Sequence, residues 1–137
     1  MYLDRELEPL HIRSGQILIL RLLGVQDGIN QESIRKYFHL DKGTIAKTIR
    51  PLISEGYITR KTNPEDRRAY QNFLTERGRS VIPGLKKTVR GWIDILTADF
   101  TDAEEEMAYD LVSRMSDNAH RYLENYKSQE EGRGYKT

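Results

Sequence analysis

The chain has 137 residues, with 22 lysines and arginines against 21 aspartates and glutamates and no cysteine. This length favours one domain, and the lack of cysteine excludes disulfides, thiolate chemistry and cysteine-bound zinc. The longest apolar run, ILIL at 17–20, is far shorter than the roughly 18 residues of a membrane span, so no membrane partner is expected. The lack of cysteine, and early acidic residues that do not suit a secretory signal, favour a cytoplasmic setting.

Two helices are predicted in the first part of the chain. Residues 14–24, SGQILILRLLG, are apolar on most sides, which predicts a buried helix with Ser14 as its N-cap. Asn30 is a second N-cap residue, and it precedes a shorter helix, QESIRKYF, whose apolar residues share one face.

A third helix is predicted to begin after Asp41, which is another N-cap residue. Apolar side chains at 45, 49, 52 and 53 form a continuous stripe, and Gly56 is the natural residue to end the helix. The second and third helices are separated only by the short joint at 39–41. This is the arrangement of a helix-turn-helix.

A charged hairpin is predicted after the third helix. Residues 57–61 and 69–74 have the composition of short strands, and the turn-forming segment TNPEDRR lies between them. The alternation of the second strand is imperfect, because Asn72 falls on the side that Tyr70 and Leu74 share.

Two long helices are predicted to follow the hairpin. Thr75 can cap the first, in which Pro83 is expected to produce a kink or displace the true start. Thr101 with Glu104 forms a capping box for the second. Both helices have strong apolar faces, so they either fold back on the domain or pair with a second copy. Pairing with a second copy is favoured because two-fold dimers are common. The polar tail at 128–137 is expected to fray.

The charges are segregated along the chain. Residues 35–90 carry a net charge of +9, whereas residues 91–137 carry −6 and residues 1–34 carry −2. A basic middle is the electrostatic footprint expected of a nucleic-acid binder. A solvated surface whose charges segregated by chance is the alternative.

The polar face of the third helix carries the first candidate binding residues. Lysine and arginine bind guanine edges or phosphates, and threonine contacts thymine methyls or backbone oxygens. The first turn also offers free N–H groups to a phosphate. An ordinary solvated helix face is the alternative, but the preceding helix and the basic hairpin favour DNA. The candidates are Lys42, Gly43, Thr44, Lys47, Thr48 and Arg50.

The tip of the hairpin carries the second group of candidates. An arginine at this position is long enough to enter a minor groove, where narrow A·T-rich DNA concentrates negative potential. Asp66 lies two residues before Arg68 and can hold its guanidinium by a charge-assisted hydrogen bond. The alternative is a local surface ion pair that stabilises by at most about 1 kcal/mol.

The stretch LDKGTIAKTIRPLISEGYITRKTNPEDRRAYQNFLTERG resembles the core of the MarR family of winged-helix transcriptional regulators, and residues 3–79 carry this similarity. Its most specific feature is DRR followed by LTERG. The resemblance implies a mainly α fold with a small β-hairpin wing. A winged helix-turn-helix at 14–79 would stand beside dimerisation helices at 1–13 and 80–127 in one domain. A homodimer that binds double-stranded DNA is also implied.

The resemblance further implies the roles of single residues. Residues 42–54 would be the recognition helix in the major groove. Arg68 would approach the minor groove with Asp66 bracing it, and Arg67 would contact the DNA backbone or stabilise the wing.

Three features depart from the family pattern. The first helix is shorter than usual, since the similarity begins almost at the first residue of the chain. Pro51 lies inside the recognition helix, where it forfeits a hydrogen bond and is expected to bend the helix. Asn72 replaces an apolar strand residue.

The predicted function is that of a regulator, most simply a repressor, which binds a pseudo-palindromic operator with half-sites about 10 bp apart. The resemblance implies release by a small, often aromatic anion in the crevice between the dimer helices and the winged lobe. His11, Arg13 and Tyr37 are candidate residues lining that crevice. The alternatives are a winged protein-interaction module and a non-specific chromosomal DNA binder.

Motifs for catalysis and for cofactor binding are missing from the sequence. The three histidines are scattered without an HExxH pair, and the acidic run at 104–106 suits the first turn of a helix. We therefore expect no enzymatic activity, no cofactor and no metal.

Overall fold

The computed structural model describes residues 1–66 and 68–133, and of 130–133 the backbone only. Its elements are α1 (Tyr2–Leu7), a 3₁₀ turn (Glu8–Leu10), α2 (Ser14–Val25), β1 (Ile29–Asn30), α3 (Gln31–Tyr37), α4 (Lys42–Ser54), β2 (Ile58–Thr62), β3 (Tyr70–Leu74), α5 (Glu76–Leu96) and α6 (Asp102–Arg133). This helical architecture with one small sheet confirms the predicted fold class. The chain divides into two units, the first being Met1–Asp94 and the second beginning at Ile95.

Side-chain caps start α3 and α4 where the sequence predicted them. Asn30 Oδ1 accepts the Ser33 N–H at 2.7 Å, and Asp41 Oδ1 accepts the Thr44 N–H at 2.8 Å. Each bond satisfies an N–H group that the helix leaves free in its first turn. Gly56 has a φ of +79° after α4 and donates its N–H to the Ile53 carbonyl, as expected of a helix-ending glycine.

Helix α2 begins with a cap that differs from the prediction. Arg13 occupies the N-cap position, and Ser14 is the first helical residue. The Arg13 N–H donates to Gln16 Oε1 at 2.8 Å, and the Ser14 N–H donates to Asp4 Oδ1 at 3.1 Å. Side chains at other positions thus satisfy the free N–H groups, and the hydrogen bonds from Ser14 hold the pKa of the Asp4 carboxyl below its ordinary value.

The core of the first unit lies where α2, α3 and α4 meet the sheet. The apolar stripe predicted on α4 points into it, with Ile45, Ile49 and Leu52 buried and Ile53 half-buried. The other fully or nearly fully buried apolar residues are Leu7, Ile12, Ile17, Ile19, Leu20, Leu23, Ile34, Tyr57, Ile58, Leu74 and Leu85. Removing these side chains from water is the main stabilising term of the unit.

Tyr57 connects three segments of the first unit. Its hydroxyl donates to the Leu10 carbonyl at 2.6 Å, and its N–H donates to the Leu52 carbonyl at 2.9 Å. Its own carbonyl accepts the Thr75 N–H at 3.1 Å. This fully buried residue therefore fixes the end of α4 against the N-terminal segment through its hydroxyl and against the start of α5 through its backbone.

The sheet has three antiparallel strands in the order β1-β3-β2. The predicted hairpin is present, with Ile58 opposite Leu74 and Thr62 opposite Tyr70. The sequence did not predict β1, which pairs Ile29 with Asn72. Because β1 covers this edge of β3, Asn72 is fully buried, and its Nδ2 donates to the Ile29 carbonyl at 3.2 Å.

Helix α5 begins at Glu76, next to the predicted cap. The Gly78 N–H donates to Thr75 Oγ1 at 3.0 Å. Pro83 does not displace the start of the helix, which continues through it. Near the other end of α5, Trp92 stacks on Tyr2 with ring centroids 5.5 Å apart, so Trp92 packs within the first unit.

The second unit contains α6 and its cap. Glu104 accepts the Thr101 N–H and donates its own N–H to the Thr101 hydroxyl, which confirms the predicted capping box. Helix α6 continues to Arg133, so the chain is helical well past 128, where a frayed tail was expected; residues 134–137 lie outside the described part. Its exposed apolar side chains include Met107, Leu111, Met115, Tyr122 and Tyr126. None of the described helices is long and apolar enough to cross a membrane.

Candidate nucleic-acid interface

The polar face of α4 is open to solvent because its apolar stripe holds the opposite face in the core. Five of the six candidate residues on this helix are exposed, and Thr48 is half-buried. The exposed residues are Lys42, Gly43, Thr44, Lys47 and Arg50. A helix with one buried face and one cationic face can lie against a polyanion without exposing its core.

The first turn of α4 is already occupied by a side chain of the protein. Asp41 accepts the Thr44 N–H at 2.8 Å and the Thr44 hydroxyl at 2.6 Å. These two bonds hold the pKa of the Asp41 carboxyl below its ordinary value. The Thr44 N–H is therefore already paired with the N-cap carboxylate, and the binding of a phosphate at this first turn stays a prediction.

Thr48 is engaged with the helix itself. Its hydroxyl donates to the Thr44 carbonyl at 2.8 Å, and its own carbonyl accepts Gln16 Nε2 at 3.2 Å. Lys47 and Arg50 are the candidates with exposed cationic side chains in this part of α4.

The hairpin loop, which we call the wing (residues 63–69), is held by bonds to its backbone. Asp66 Oδ1 accepts the backbone N–H of Arg68 at 3.0 Å, and the Asp66 carbonyl accepts the Ala69 N–H at 3.0 Å. Asn63 donates its N–H to the Ala69 carbonyl at 3.0 Å. Asp66 thus braces the turn through the Arg68 backbone, whereas the sequence predicted a bond to the Arg68 guanidinium. Arg67 lies outside the described residues.

A hollow of about 560 Å³ lies between the wing and the helix-turn-helix. Lys42 contributes to it from α4 and Arg68 from the wing, so the two predicted basic elements border one concave surface. Arg35 of α3 also lines it, and its Nη2 and Nε donate to the Glu32 carboxylate at 2.6 and 2.9 Å. Arg35 was not among the residues predicted from the sequence, although its place in the basic middle of the chain was a usable signal.

An open crevice of about 1270 Å³ lies on another side of α4, between this helix and the N-terminal segment. His11 and Arg13 line it together with Lys47 and Arg50, so these two candidate effector residues are brought together. Tyr37 is not among the lining residues. It lines a separate hollow beside α2 and β1, and its place in the crevice of the proposed dimer stays a prediction.

Comparison with known proteins places this geometry in a family. The model of the MarR family matches residues 12–70. The uncharacterized HTH-type transcriptional regulator YdgJ of Bacillus subtilis is 28% identical over 107 residues, a match spanning 78% of this chain and 65% of that protein's length.

Solved structures are similar over most of the chain. A MarR transcriptional regulator from Methanosarcina mazei Go1 is 39% identical, with a TM-score of 0.84 over 88% of this chain and 87% of that one. A structure described as the crystal structure of MarR is 35% identical, with a TM-score of 0.86 over 90% of this chain and 84% of that one.

Proposed function

This chain belongs to the MarR family of DNA-binding transcriptional regulators, and on that premise we propose that it is a homodimeric repressor of a pseudo-palindromic operator. Members of the family are transcriptional regulators rather than enzymes. The observation that carries the proposal is the hollow in which Lys42 of α4 and Arg68 of the wing border one concave surface. Because such a regulator works where the DNA is, we propose a cytoplasmic location.

Helix α4 would enter the major groove as the recognition helix. Lys47 and Arg50 would donate to phosphates or to guanine edges, and Lys42 would contact the backbone. Thr44 would act through its methyl group or as part of the cap, since Asp41 holds both its N–H and its hydroxyl. Gly43 and Thr48 would give the DNA close access to this face.

The wing would lie along the adjacent minor groove. Arg68 would extend into the groove, and the bond from its backbone N–H to Asp66 would hold its Cα in a fixed place. Arg67 would contact the DNA backbone or stabilise the wing, as predicted from the sequence. Binding would weaken steeply with salt, since each phosphate contact releases counterions.

The second copy is proposed from the apolar surface of α6. Met107, Leu111 and Met115 recur every fourth residue and are between 48% and 71% exposed. Exposed apolar surface on this scale marks an interaction site in a soluble protein. A two-fold partner would cover it and would place two recognition helices on one operator.

A small anionic effector would bind in the crevice beside α4. His11 and Arg13 line it, and a guanidinium pairs well with a carboxylate. If the effector binds more tightly to a conformation that does not bind DNA, it would shift the protein population toward that conformation.

Binding to the protein's own upstream DNA, compared with a scrambled duplex at the same salt, tests the proposal. We expect specific binding by the wild type and its loss in a Lys47→Glu/Arg68→Glu variant that stays dimeric. Lys86→Glu/Lys87→Glu is the matched control, because both lysines are exposed on α5 and line neither the hollow nor the crevice.

The outcomes separate the alternatives. Equal affinity for the two duplexes would indicate a non-specific DNA binder, and no binding to either would favour a protein-interaction module. Normal binding by the Lys47→Glu/Arg68→Glu variant would contradict the assignment of α4 and the wing.

A further inference from the structure

We propose that Arg60, which the sequence analysis did not single out, is the positioning residue that fixes the wing relative to the helix-turn-helix. The proposal rests on the DNA contacts proposed above and adds the residue that holds one of them in place. Arg60 lies in β2, the strand that enters the wing, directly opposite Asn72 of β3. Its side chain lies on the face of the sheet that Asn72 and Tyr70 share.

The first contact of Arg60 joins the wing strand to α3. Its Nη2 donates to Gln31 Oε1 at 2.7 Å, and Gln31 is the first residue of α3. Asn30, immediately before it, caps the same helix. The guanidinium therefore reaches from the base of the wing to the fixed end of the first helix of the helix-turn-helix.

The second contact joins Arg60 to the strand that leaves the wing. Its guanidinium carbon lies 5.2 Å from the centre of the Tyr70 ring. Tyr70 is the first residue of β3, two positions after Arg68, and it also lines the hollow that Arg68 borders. A cation over this ring limits the movement of the segment that carries Arg68.

Two unsatisfied atoms lie beside these contacts. Arg60 Nε and Asn72 Oδ1 are buried and have no hydrogen-bond partner among residues 1–66 and 68–133. One is a donor and the other an acceptor, and they belong to residues paired across the hairpin. Unsatisfied buried polar groups reduce stability, and an apolar side chain of similar volume often costs less. Stability alone therefore gives a poor account of an arginine here, whereas fixing the geometry of the wing gives a good one.

The chain provides a matched control in the next residue. Lys61 lies on the same strand with its side chain on the other face of the sheet, where its Nζ is 4.9 Å from the centre of the Phe73 ring. Arg60→Met and Lys61→Met remove the same charge from the same strand. Only the first removes the connection to α3.

A double-mutant cycle on operator DNA tests the positioning role. We expect Arg60→Met to weaken binding about tenfold and Lys61→Met about twofold at most. In an Arg68→Ala background, Arg60→Met should have almost no further effect. In a Lys47→Ala background it should keep its full effect, because Lys47 lines the crevice on another side of α4. Gln31→Ala keeps the charge of Arg60 and should show the same pattern, which covers the case that Arg60→Met folds poorly.

An equal loss in all backgrounds would overturn the proposal, since Arg60 would then bind DNA itself or merely support the fold. A neutral Arg68→Ala would also overturn it, because the wing would have no contact to position. The proposed function fails on a different result, which is the absence of specific binding by the wild type or normal binding by Lys47→Ala.

Discussion

Gly78, in the first turn of α5, lies against the backbone of Tyr57, the residue before β2. A Cβ at this position would stand 2.2 Å from the Tyr57 carbonyl oxygen and 3.1 Å from a Leu74 methyl. That carbonyl also accepts the Thr75 N–H at 3.1 Å. The glycine of the LTERG motif is therefore explained by a close approach of backbones rather than by an unusual φ.

We expect Gly78→Ala to lower the free energy of unfolding by about 1–3 kcal/mol, because the methyl group must displace a fixed carbonyl. Gly84 in the same helix is the control, since nothing lies within 4 Å of a Cβ there. Gly84→Ala should raise stability by about 0.4–1 kcal/mol, through the lower entropy of the unfolded chain. Urea unfolding of both variants checks this. Equal effects would contradict the proposed contact.

Asp41 makes the start of α4 sensitive to acid. Its bonds from Thr44 place the pKa of its carboxyl in the folded protein below the ordinary value of 3.8. A carboxyl with a lowered folded pKa contributes stability above its unfolded pKa, and this contribution is lost as the pH falls through the folded pKa.

Asp41→Asn keeps a good N-cap but removes this titration. We therefore expect the two proteins to be similarly stable at pH 7 and the wild type to become less stable than the variant below about pH 4. Urea unfolding between pH 3 and pH 7 measures the difference. Asp4, Glu32 and Glu104 also have lowered pKa values, so the wild type alone cannot report on Asp41. A difference that stays constant over this range would contradict the assignment.

At the scale of elements, periodicity and capping residues predicted most of the fold. Features that depend on residues close in sequence were predictable. They are the apolar stripe on α4, the N-caps Asn30 and Asp41, and the capping box before α6. Strand β1 was not, since a strand of two residues has no alternation to detect. Asn72 therefore looked like a defect in β3, although β1 supplies the carbonyl that it binds.

The candidate site was predicted less completely than the fold. Spacing on one helix was enough to find the exposed residues of α4, and the pair Asp66 and Arg68 was found from its place in the turn. Which group of Arg68 donates to the Asp66 carboxylate was not predictable. A carboxylate two positions before an arginine can accept either its backbone N–H or its guanidinium. Tyr37 lines a hollow with residues of α2 and β1 rather than with His11 and Arg13, and helical periodicity in α3 does not show which other element lies beside it.

Substitution of Pro51 tests whether the C-terminal end of α4 can be altered without affecting the face proposed to bind DNA. The helix continues through Pro51 to Ser54, and the carbonyl that loses a hydrogen bond is that of Lys47, four residues earlier. We expect Pro51→Ala to raise the free energy of unfolding by about 1–3 kcal/mol. Operator affinity should change by about twofold at most, because the turns that carry Thr44 and Lys47 keep their geometry. Calorimetry and DNA titration check the two parts, and a large loss of affinity would contradict the second.

At the scale of the whole molecule, the net charge of +1 conceals a basic middle and an acidic C-terminal part. The residues proposed to bind DNA all lie in the stretch 35–90, whose net charge is +9. Positive charge is thus concentrated in the helix-turn-helix and the wing, while α6 carries acidic and apolar side chains. This distribution suits a protein that binds DNA with one part and a second copy with another.

The apolar surface of α6 gives a prediction about assembly. We expect Leu111→Asp/Met115→Asp to yield a monomer with greatly reduced operator affinity, because a buried unpaired carboxylate disfavours the proposed interface. Tyr109→Asp is the control, since at about 3.6 residues per turn Tyr109 lies on the other side of the helix. Sedimentation velocity distinguishes monomer from dimer. A dimeric double variant would exclude this surface as the interface.

Selection of bound sequences from a pool of random duplexes tests the central claim most directly, because one experiment reports specificity and symmetry together. If two copies each place α4 in a major groove and Arg68 in a flanking minor groove, the enriched sequences will form an inverted repeat. Its half-sites will be centred about 10 bp apart, with A·T-rich flanks. An asymmetric motif, or no enrichment over the starting pool, would contradict the claim.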